Sequence, residues 1–230
     1  MADDLLSSGF EFRVALNFPR RLDDREDSTR DIKGSSSLMR RVCVFCGSSS
    51  GRQEAYRSAA VLLGESLVSQ GVALVYGGAC VGLMGTVADA VLANGGEAIG
   101  VIPASLVEKE LAHPGLTELH VVETMHQRKA TMSELSDGFI ALPGGMGTLE
   151  EMFEALTWAQ LGFHQKPCAL LNTEGYYQGL VNFLHTAVTE GFVKQRHLDQ
   201  LLIDAEPQRL LERMARPQLG AQPKWEVAKA

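Results

Sequence analysis

The sequence predicts an α/β fold, a doubly wound parallel sheet with helices on both faces, in a single domain. Short apolar runs alternate along the chain with segments whose apolar residues recur at helical spacing. The runs lack clean polar alternation, which is typical of strands that helices cover on both sides. Repeated strand–helix units of this length favour a parallel sheet.

The first half of the pattern gives three strands and two helices. Apolar runs at 42–46, 72–76 and 98–102 predict strands, and Pro103 ends the third. Residues 52–69 carry Ala59, Leu63 and Leu67 at helical spacing. Residues 83–93 form the second predicted helix.

The second half repeats the alternation. Strands are predicted at 119–122, 139–142 and 168–171. Helices are predicted at 124–135, 148–161 and 176–190. In the helix at 148–161, Leu149, Met152, Phe153 and Leu156 share one face.

The chain ends differ from this globular part. Residues 20–33 mix charges with few apolar side chains, and Gly34 and three serines follow. We therefore expect residues 1–39 to be a disordered or loosely attached extension. The globular domain is expected at 40–215, with a polar tail at 216–230.

Composition and charge narrow the function classes. The chain has 230 residues, is 45% hydrophobic and carries a formal net charge of −7, which argues against a broad nucleic-acid surface. No apolar stretch reaches the ~18 residues of a membrane span, and the N-terminus lacks a secretory signal pattern. We expect a soluble cytoplasmic protein with no membrane partner.

The cysteines do not suggest a metal or redox site. Cys43 and Cys46 have the spacing of a redox motif, but they lie in an apolar run that predicts a strand. We expect buried, reduced thiols there. No second Cys/His pair has zinc-finger spacing, so no metal is expected.

Three glycine-rich turns follow predicted strands, at 47–51, 77–85 and 144–147. In doubly wound sheets, ligands bind outside the carboxyl ends of the strands, so the turns suggest a nucleotide-sized anion. None has a full dinucleotide or P-loop fingerprint, which disfavours NAD chemistry and NTP hydrolysis. Additional candidates for nucleotide binding are Gly47, Ser48, Gly77, Gly78 and Met84.

The segment 143–151 joins a glycine turn to a helix with acidic residues. Thr148 and Glu151 have the spacing of a capping box, with Thr148 as N-cap. Capping needs one carboxylate, yet Glu150, Glu151 and Glu154 crowd the first turns, and Glu150 and Glu154 repel at i, i+4 spacing. The alternative is an anion-binding turn beside a functional carboxylate.

Two further charged segments are candidates. Arg128 and Lys129 lie near a predicted helix start, where the helix dipole disfavours cations and a bound anion or a carboxylate would offset the cost. Arginine also suits bidentate contact with phosphate. Glu110 follows the third strand and is either a solvated charge or a ligand acceptor.

Together, the segments 125–129 and 143–151 resemble the LONELY GUY (LOG) family of cytokinin riboside 5′-monophosphate phosphoribohydrolases, often mislabelled lysine decarboxylases. The resemblance covers roughly residues 41–205. It extends to the segments 46–49, 76–78, 82–85 and 158–167. Ala79 departs from the pattern, since family members often have a third glycine there.

This resemblance implies a Rossmann-like homodimer or higher homo-oligomer. It would hydrolyse the N-glycosidic bond of a nucleoside 5′-monophosphate and release the free base and ribose 5-phosphate. Arg128 and Glu151 match the family's catalytic pair. Glu110 and Lys129 match substrate-binding positions, as do Gly144, Gly145, Met146, Gly147, Thr148, Leu149 and Glu150. No metal or organic cofactor is implied.

The chemistry of the residues agrees with that expectation. Cleaving the bond builds oxocarbenium character on the ribose, which Glu151 would stabilise or attack through water. Arg128 is too basic for a good general acid and would orient substrate and Glu151. The alternatives are a general purine nucleotide 5′-monophosphate nucleosidase and a non-catalytic nucleotide or cofactor carrier on the same fold. Pyridoxal-dependent decarboxylation needs a Schiff-base lysine in a context that no lysine here has.

Overall fold

Seven parallel strands form the central sheet of the computed structural model, which describes residues 39–107 and 111–216. The strands are β1 Arg41–Phe45, β2 Ala73–Tyr76, β3 Ala98–Pro103, β4 Glu118–Val122, β5 Gly138–Ala141, β6 Cys168–Leu171 and β7 Leu201–Asp204. Their order in the sheet is β4-β3-β2-β1-β5-β6-β7. The predicted doubly wound parallel fold is confirmed.

Eight α-helices and one 3₁₀ turn surround the strands within the described residues, and all but the last helix lie between two strands in the chain. The helices are α1 Glu54–Ser69, α2 Gly82–Ala93, α3 Ala104–Val107, α4 Met125–Leu135, α5 Met146–Leu161, α6 Gln178–Thr189, α7 Gln195–Leu198 and α8 Pro207–Met214. The 3₁₀ turn is Thr173–Gly175. The sequence did not predict α3, the 3₁₀ turn, α7, β7 or α8.

The two faces of the sheet carry separate apolar layers. Val42 and Val44 of β1 point into the layer formed with α1, α2 and α8. Cys43 and Phe45 point into the opposite layer, with α4, α5 and α6. Because both faces of each central strand are buried, these strands read as unbroken apolar runs in the sequence.

The prediction of buried, reduced thiols is confirmed for Cys43 and Cys46. Cys43 and Cys46 are buried and free. Burial raises the pKa of both thiols well above the ordinary value, so both stay protonated. Cys168 is also buried, whereas Cys80 is exposed.

The direction of chain progression reverses at β1, which pairs with both β2 and β5. The carboxyl ends of β1 and β5 lie side by side, with Phe45 opposite Ala141. A hydrogen bond of 3.1 Å from the N–H of Gly47 to the carbonyl of Pro143 joins the turns that follow these strands. Ligands of doubly wound sheets bind at this reversal.

Two predicted regions fall mostly outside the described residues. Of the extension at 1–39 only Met39 is described, and of the tail at 216–230 only Arg216. Met39 packs against the apolar layer of α1 and α2. Within the part of the chain that the structure describes, none of the helices is long and apolar enough to cross a membrane.

The close packing of α1 on α2 depends on Gly64. A methyl group at this buried position would lie 2.7 Å from the Cβ of Ala90 and 3.1 Å from the carbonyl oxygen of Val87. We expect Gly64→Ala to lower the free energy of unfolding by about 1–3 kcal/mol, because overpacking forces the helices apart. Urea unfolding measures the change.

Gly179 is the matched control, since it also lies in a helix but a Cβ added there would meet nothing within 4 Å. Gly179→Ala should raise the free energy of unfolding by about 0.5–1 kcal/mol, because alanine loses less backbone entropy in a helix. Equal effects of the two substitutions would contradict the packing explanation.

Candidate active site

A cleft of about 300 Å³ lies where the chain reverses, beyond the carboxyl ends of β1 and β5. It contains the predicted pair, Arg128 of α4 and Glu151 of α5, together with the first turn of α5. Its lining residues include Gly47, Ser48, Gly77, Met84, Met125, Met132, Gly145, Met146, Gly147, Thr148 and Glu150. The structure thus brings most of the predicted site residues together.

The start of α5 differs from the sequence prediction. Gly145 is the N-cap and makes no side-chain cap, so the predicted capping box of Thr148 and Glu151 is wrong. Thr148 is instead the third residue of the helix and is buried. Its Oγ1 would lie 2.1 Å from a Cβ at Gly144, so its side chain covers the loop rather than the helix end.

The loop before α5 exposes backbone donors. Among the described residues, nothing accepts a hydrogen bond from the N–H groups of residues 144–148. The first N–H groups of a helix lack intrahelical partners and lie at the positive end of its dipole. The arrangement can therefore bind an anion.

Position 144 requires glycine because neighbouring atoms approach its backbone closely. Besides Thr148, a Cβ at this position would meet the backbone nitrogen of Gly47 at 2.9 Å. Any side chain here would separate the two turns that follow β1 and β5.

Arg128 and Glu151 form a buried ion pair. The distance from Nη1 of Arg128 to Oε1 of Glu151 is 2.8 Å, and each side chain is 11% exposed. Nε of Arg128 donates to the carbonyl oxygen of Val101 at 3.0 Å. A Cβ at Gly77 would lie 2.1 Å from Nη2 of Arg128, so the glycine turn after β2 makes room for the guanidinium.

Burial raises the pKa of Glu151 above its ordinary value. The nearby charge of Arg128 and its hydrogen bond offset part of that rise, and the charge of Lys129 also lowers the pKa. Glu150 acts in the opposite direction. A carboxylate with a raised pKa, beside a fixed cation, is suited to accept a proton.

The start of α4 holds the two cations. Thr124 and Gln127 form a capping box here, of the kind that the sequence predicted for α5. Arg128 and Lys129 follow in the first turns, and carboxylates of α5 offset their unfavourable position near the helix start.

Lys129 binds both Glu150 and Glu154 and so offsets the predicted repulsion between their carboxylates. Its Nζ lies 2.5 Å from Oε1 of Glu150 and 3.1 Å from Oε1 of Glu154. Burial lowers the pKa of Lys129, but the hydrogen bonds to Glu150 and Glu154 outweigh it and the pKa is raised. These ion pairs join α4 to α5 beside the pair of Arg128 and Glu151.

Two other predicted residues lie outside this cleft, and a third is not described. Leu149 packs against the apolar layer of α5. Gly78 has a φ of 73° and lies against Ile102 and Val101 instead of lining the cleft. Glu110 lies outside the described residues.

A second cleft of about 300 Å³ adjoins the first and shares Gly47, Ser48 and Gly145 with it. Gly144 lines this second cleft, as do the serines 48–50, Tyr56 and Tyr176. Sequence reasoning missed the tyrosines, because no local motif connects them with the glycine loop. Within the described ranges, no cluster of three His, Cys, Asp or Glu residues could hold a metal ion.

Comparison with known proteins agrees with the geometry. Cytokinin riboside 5′-monophosphate phosphoribohydrolase LOG3 of Arabidopsis thaliana is 54% identical over 166 residues, which are 71% of this chain and 77% of the relative. The chain belongs to the LOG family. The rice relative (Oryza sativa subsp. japonica) named cytokinin riboside 5′-monophosphate phosphoribohydrolase LOG is 52% identical over 159 residues, 69% of this chain and 66% of its own length.

The family described as "Possible lysine decarboxylase" matches residues 84–214. That description fits the mislabelling expected for LOG proteins. No lysine lines either cleft in the described residues. Lys129 is bound to Glu150 and Glu154, so the structure offers it no place as a Schiff-base residue.

Solved structures share the fold at low identity. The molybdenum cofactor binding protein of Rippkaea orientalis superposes with a TM-score of 0.58 at 22% identity, over 77% of this chain and 96% of that one. The molybdenum cofactor carrier protein of Chlamydomonas reinhardtii gives 0.58 at 21%, over 76% and 96%. At this identity the likeness concerns only the Rossmann-like fold of the LOG protein.

Removing the charge of Lys129 should raise the pKa of Glu151 further. The charge of Lys129 lowers that pKa in the native protein, so Lys129→Gln leaves Glu151 with less support for its ionised form. A pH titration of the ¹³C-labelled glutamate carboxyl groups by NMR measures the pKa, with the Glu151 resonance assigned from its loss in Glu151→Gln.

Lys194→Gln is the charge-matched control, because Lys194 is exposed and far from α5 in the sequence. It should leave the Glu151 titration unchanged. A Glu151 pKa in Lys129→Gln equal to or below that of the native protein would contradict this account of the site.

Proposed function

We propose that the protein hydrolyses the N-glycosidic bond of an N6-modified adenosine 5′-monophosphate and releases the free base and ribose 5-phosphate. One observation carries the proposal. A largely buried carboxylate, Glu151, is paired with Arg128 in the same cleft as a row of backbone donors at 145–148 that no described residue engages. The names of the LOG relatives support the same reaction.

The backbone donors are the proposed phosphate site. Residues 144–148 combine free N–H groups with the positive end of the 16-residue helix α5. Glu151 follows on the same helix and faces the same cleft. A phosphate held at the loop would place the attached ribose next to this carboxylate, which supplies the positioning part of catalysis.

Glu151 is the proposed base and electrostatic stabiliser. As the bond from C1′ to the base nitrogen breaks, its electron pair leaves with the base and the ribose gains oxocarbenium character. Water bonds to C1′ and its proton passes to Glu151, which returns it to solvent. The base takes up a proton from solvent, so the reaction consumes one water and balances.

Arg128 orients this carboxylate and contacts substrate. Its Nε and Nη1 are bound to Val101 and Glu151, whereas Nη2 has no partner among the described residues and lies beside Gly77 in the cleft. A guanidinium stays protonated at all ordinary pH values, so it serves as a donor and a fixed charge. Lys129 supports the pair from α4 through Glu150 and Glu154.

The cleft has an apolar wall that fits a substituted base. Met84, Met125, Met132 and Met146 line it, and Met146 is 87% exposed. Methionine side chains adapt to irregular apolar groups such as an N6-prenyl chain. We propose preference for the N6-modified base over plain adenine, and rates of base release from AMP and isopentenyladenosine monophosphate compare the two directly.

We further propose that the protein acts as a homodimer. Strand β4 is at the edge of the sheet, and its Leu119 and Val121 are 38% and 55% exposed, close in sequence to the exposed Met125 of the cleft. Exposed apolar groups on an edge strand favour association. Light scattering after size-exclusion chromatography measures the mass, and a monomer at all concentrations would exclude the dimer.

Glu151→Gln should abolish base release but keep substrate binding. The amide has the same shape but cannot accept the proton or stabilise positive charge on ribose, so kcat should fall by about 10²–10⁴-fold. Chromatography of the released base measures kcat, and calorimetry with AMP measures binding. Glu65→Gln, at an exposed position of α1, is the control. Unchanged turnover in Glu151→Gln would remove Glu151 from the mechanism.

A further inference from the structure

Successive carbonyl oxygens of the loop before α5 are all occupied by donors. The hydroxyl of Tyr177 donates to the carbonyl of Leu142 at 2.6 Å. The N–H of Gly47 donates to the carbonyl of Pro143 at 3.1 Å. The hydroxyl of Tyr176 donates to the carbonyl of Gly144 at 2.6 Å. Each oxygen that could repel an anion is thereby tied to a neighbouring element.

This arrangement also fixes the direction of the N–H groups. The described residues contain no cis peptide bond, and in a trans peptide the C=O and the following N–H point in opposite directions. The carbonyl of Gly144 faces Tyr176, so the N–H of Gly145 points away from Tyr176. Gly145 lies at the junction of the two clefts, next to the free donors of α5.

Among the described residues, the hydroxyl of Tyr176 is the only hydrogen-bond donor to the carbonyl of this peptide. Gly144 and Gly145 flank it, and glycine permits backbone rotations that other residues resist. A Cβ added at Gly145 would meet nothing within 4 Å, so the surroundings do not confine the peptide on that side. A rotated peptide would turn an oxygen toward a bound anion.

Tyr176 is itself well placed for this task. Its ring packs edge-on against Tyr56 at 5.5 Å and Tyr177 at 5.0 Å between centroids. These contacts keep the ring in position independently of the hydroxyl. Tyr176 is 43% exposed and lines the second cleft, whereas Tyr177 is 2% exposed.

We propose that Tyr176 is a positioning residue for the substrate phosphate, because its hydroxyl holds the Gly144–Gly145 peptide with N–H rather than C=O directed at the anion. The inference rests on the proposed function for the identity of the anion. Tyr176 acts through the loop, so its loss changes phosphate affinity more than the bond-breaking step.

Tyr176→Phe tests this role, because it removes the hydroxyl and keeps the ring contacts. Calorimetric affinity for ribose 5-phosphate should weaken about three- to tenfold, the range expected for one hydrogen bond. The KM for the nucleoside monophosphate should rise by a similar factor with kcat nearly unchanged. Affinity for free adenine, which lacks the phosphate, should stay the same.

Tyr177→Phe is the comparator, because it also removes a tyrosine hydroxyl bonded to a carbonyl of this segment. The carbonyl of Leu142 directly follows β5 and is two residues from Gly144, so this variant should lower Tm with a smaller change in ribose 5-phosphate affinity. This contrast separates a positioning role from a structural one.

Native-like ribose 5-phosphate affinity in Tyr176→Phe would overturn the inference. So would equal losses for ribose 5-phosphate and adenine, since these indicate general damage to the site. Weakened ribose 5-phosphate binding supports it even if the native protein releases no base, so failure of the proposed function is distinguishable from failure of this inference.

Discussion

The buried ion pair of Arg128 and Glu151 is the interaction on which the rest of the site depends. Removing two charges from water is expensive, and a buried pair is tolerated only where the geometry is good and the remaining polar atoms have partners. Here Val101 binds one more nitrogen of the guanidinium, and Gly77 leaves space for another. Strand β3, the turn after β2 and two helices therefore contribute to holding one carboxylate.

The pair also connects the sheet to the proposed chemistry. Arg128 and Glu151 belong to α4 and α5, which flank β5 in the chain, and the reversal of strand order at β1 brings the turns after β1 and β5 into contact. The ion pairs of Lys129 with Glu150 and Glu154 also join these two helices. Helices rather than loops carry the charged side chains of the site, which favours a fixed geometry.

The sequence predicts those strands and helices whose own residues show a clear apolar pattern. Central strands such as β1 and β5 are apolar runs because helices bury both faces, and the helices between them show clear spacing. By contrast, β7 has only four residues, and α8 has eight residues, many of them polar, with Leu210, Leu211 and Met214 buried. Both lie at the β7 edge of the sheet. A few buried side chains stabilise them there, so neither element shows a long apolar pattern in the sequence.

The errors at the site have a similar cause. The spacing of Thr148 and Glu151 fits a capping box, but the helix has its N-cap three residues earlier, at Gly145, and the Thr148 side chain lies over Gly144. The bond of Tyr176 to Gly144 spans 32 residues and belongs to no motif, so sequence spacing does not predict it. Arg128 and Glu151 are identifiable from the sequence because their segments resemble a known family. Their contact depends on the tertiary fold and is not visible in the sequence.

We propose that Arg128 and Glu151 act as one unit, and a double-mutant cycle in base release tests this most directly. Kinetics are measured for the native protein, Arg128→Met, Glu151→Gln and the double variant. Residues that act together are strongly non-additive, so the double variant should be within about threefold of the slower single variant. A double variant whose loss equals the product of the two single losses would show independent roles and contradict the account.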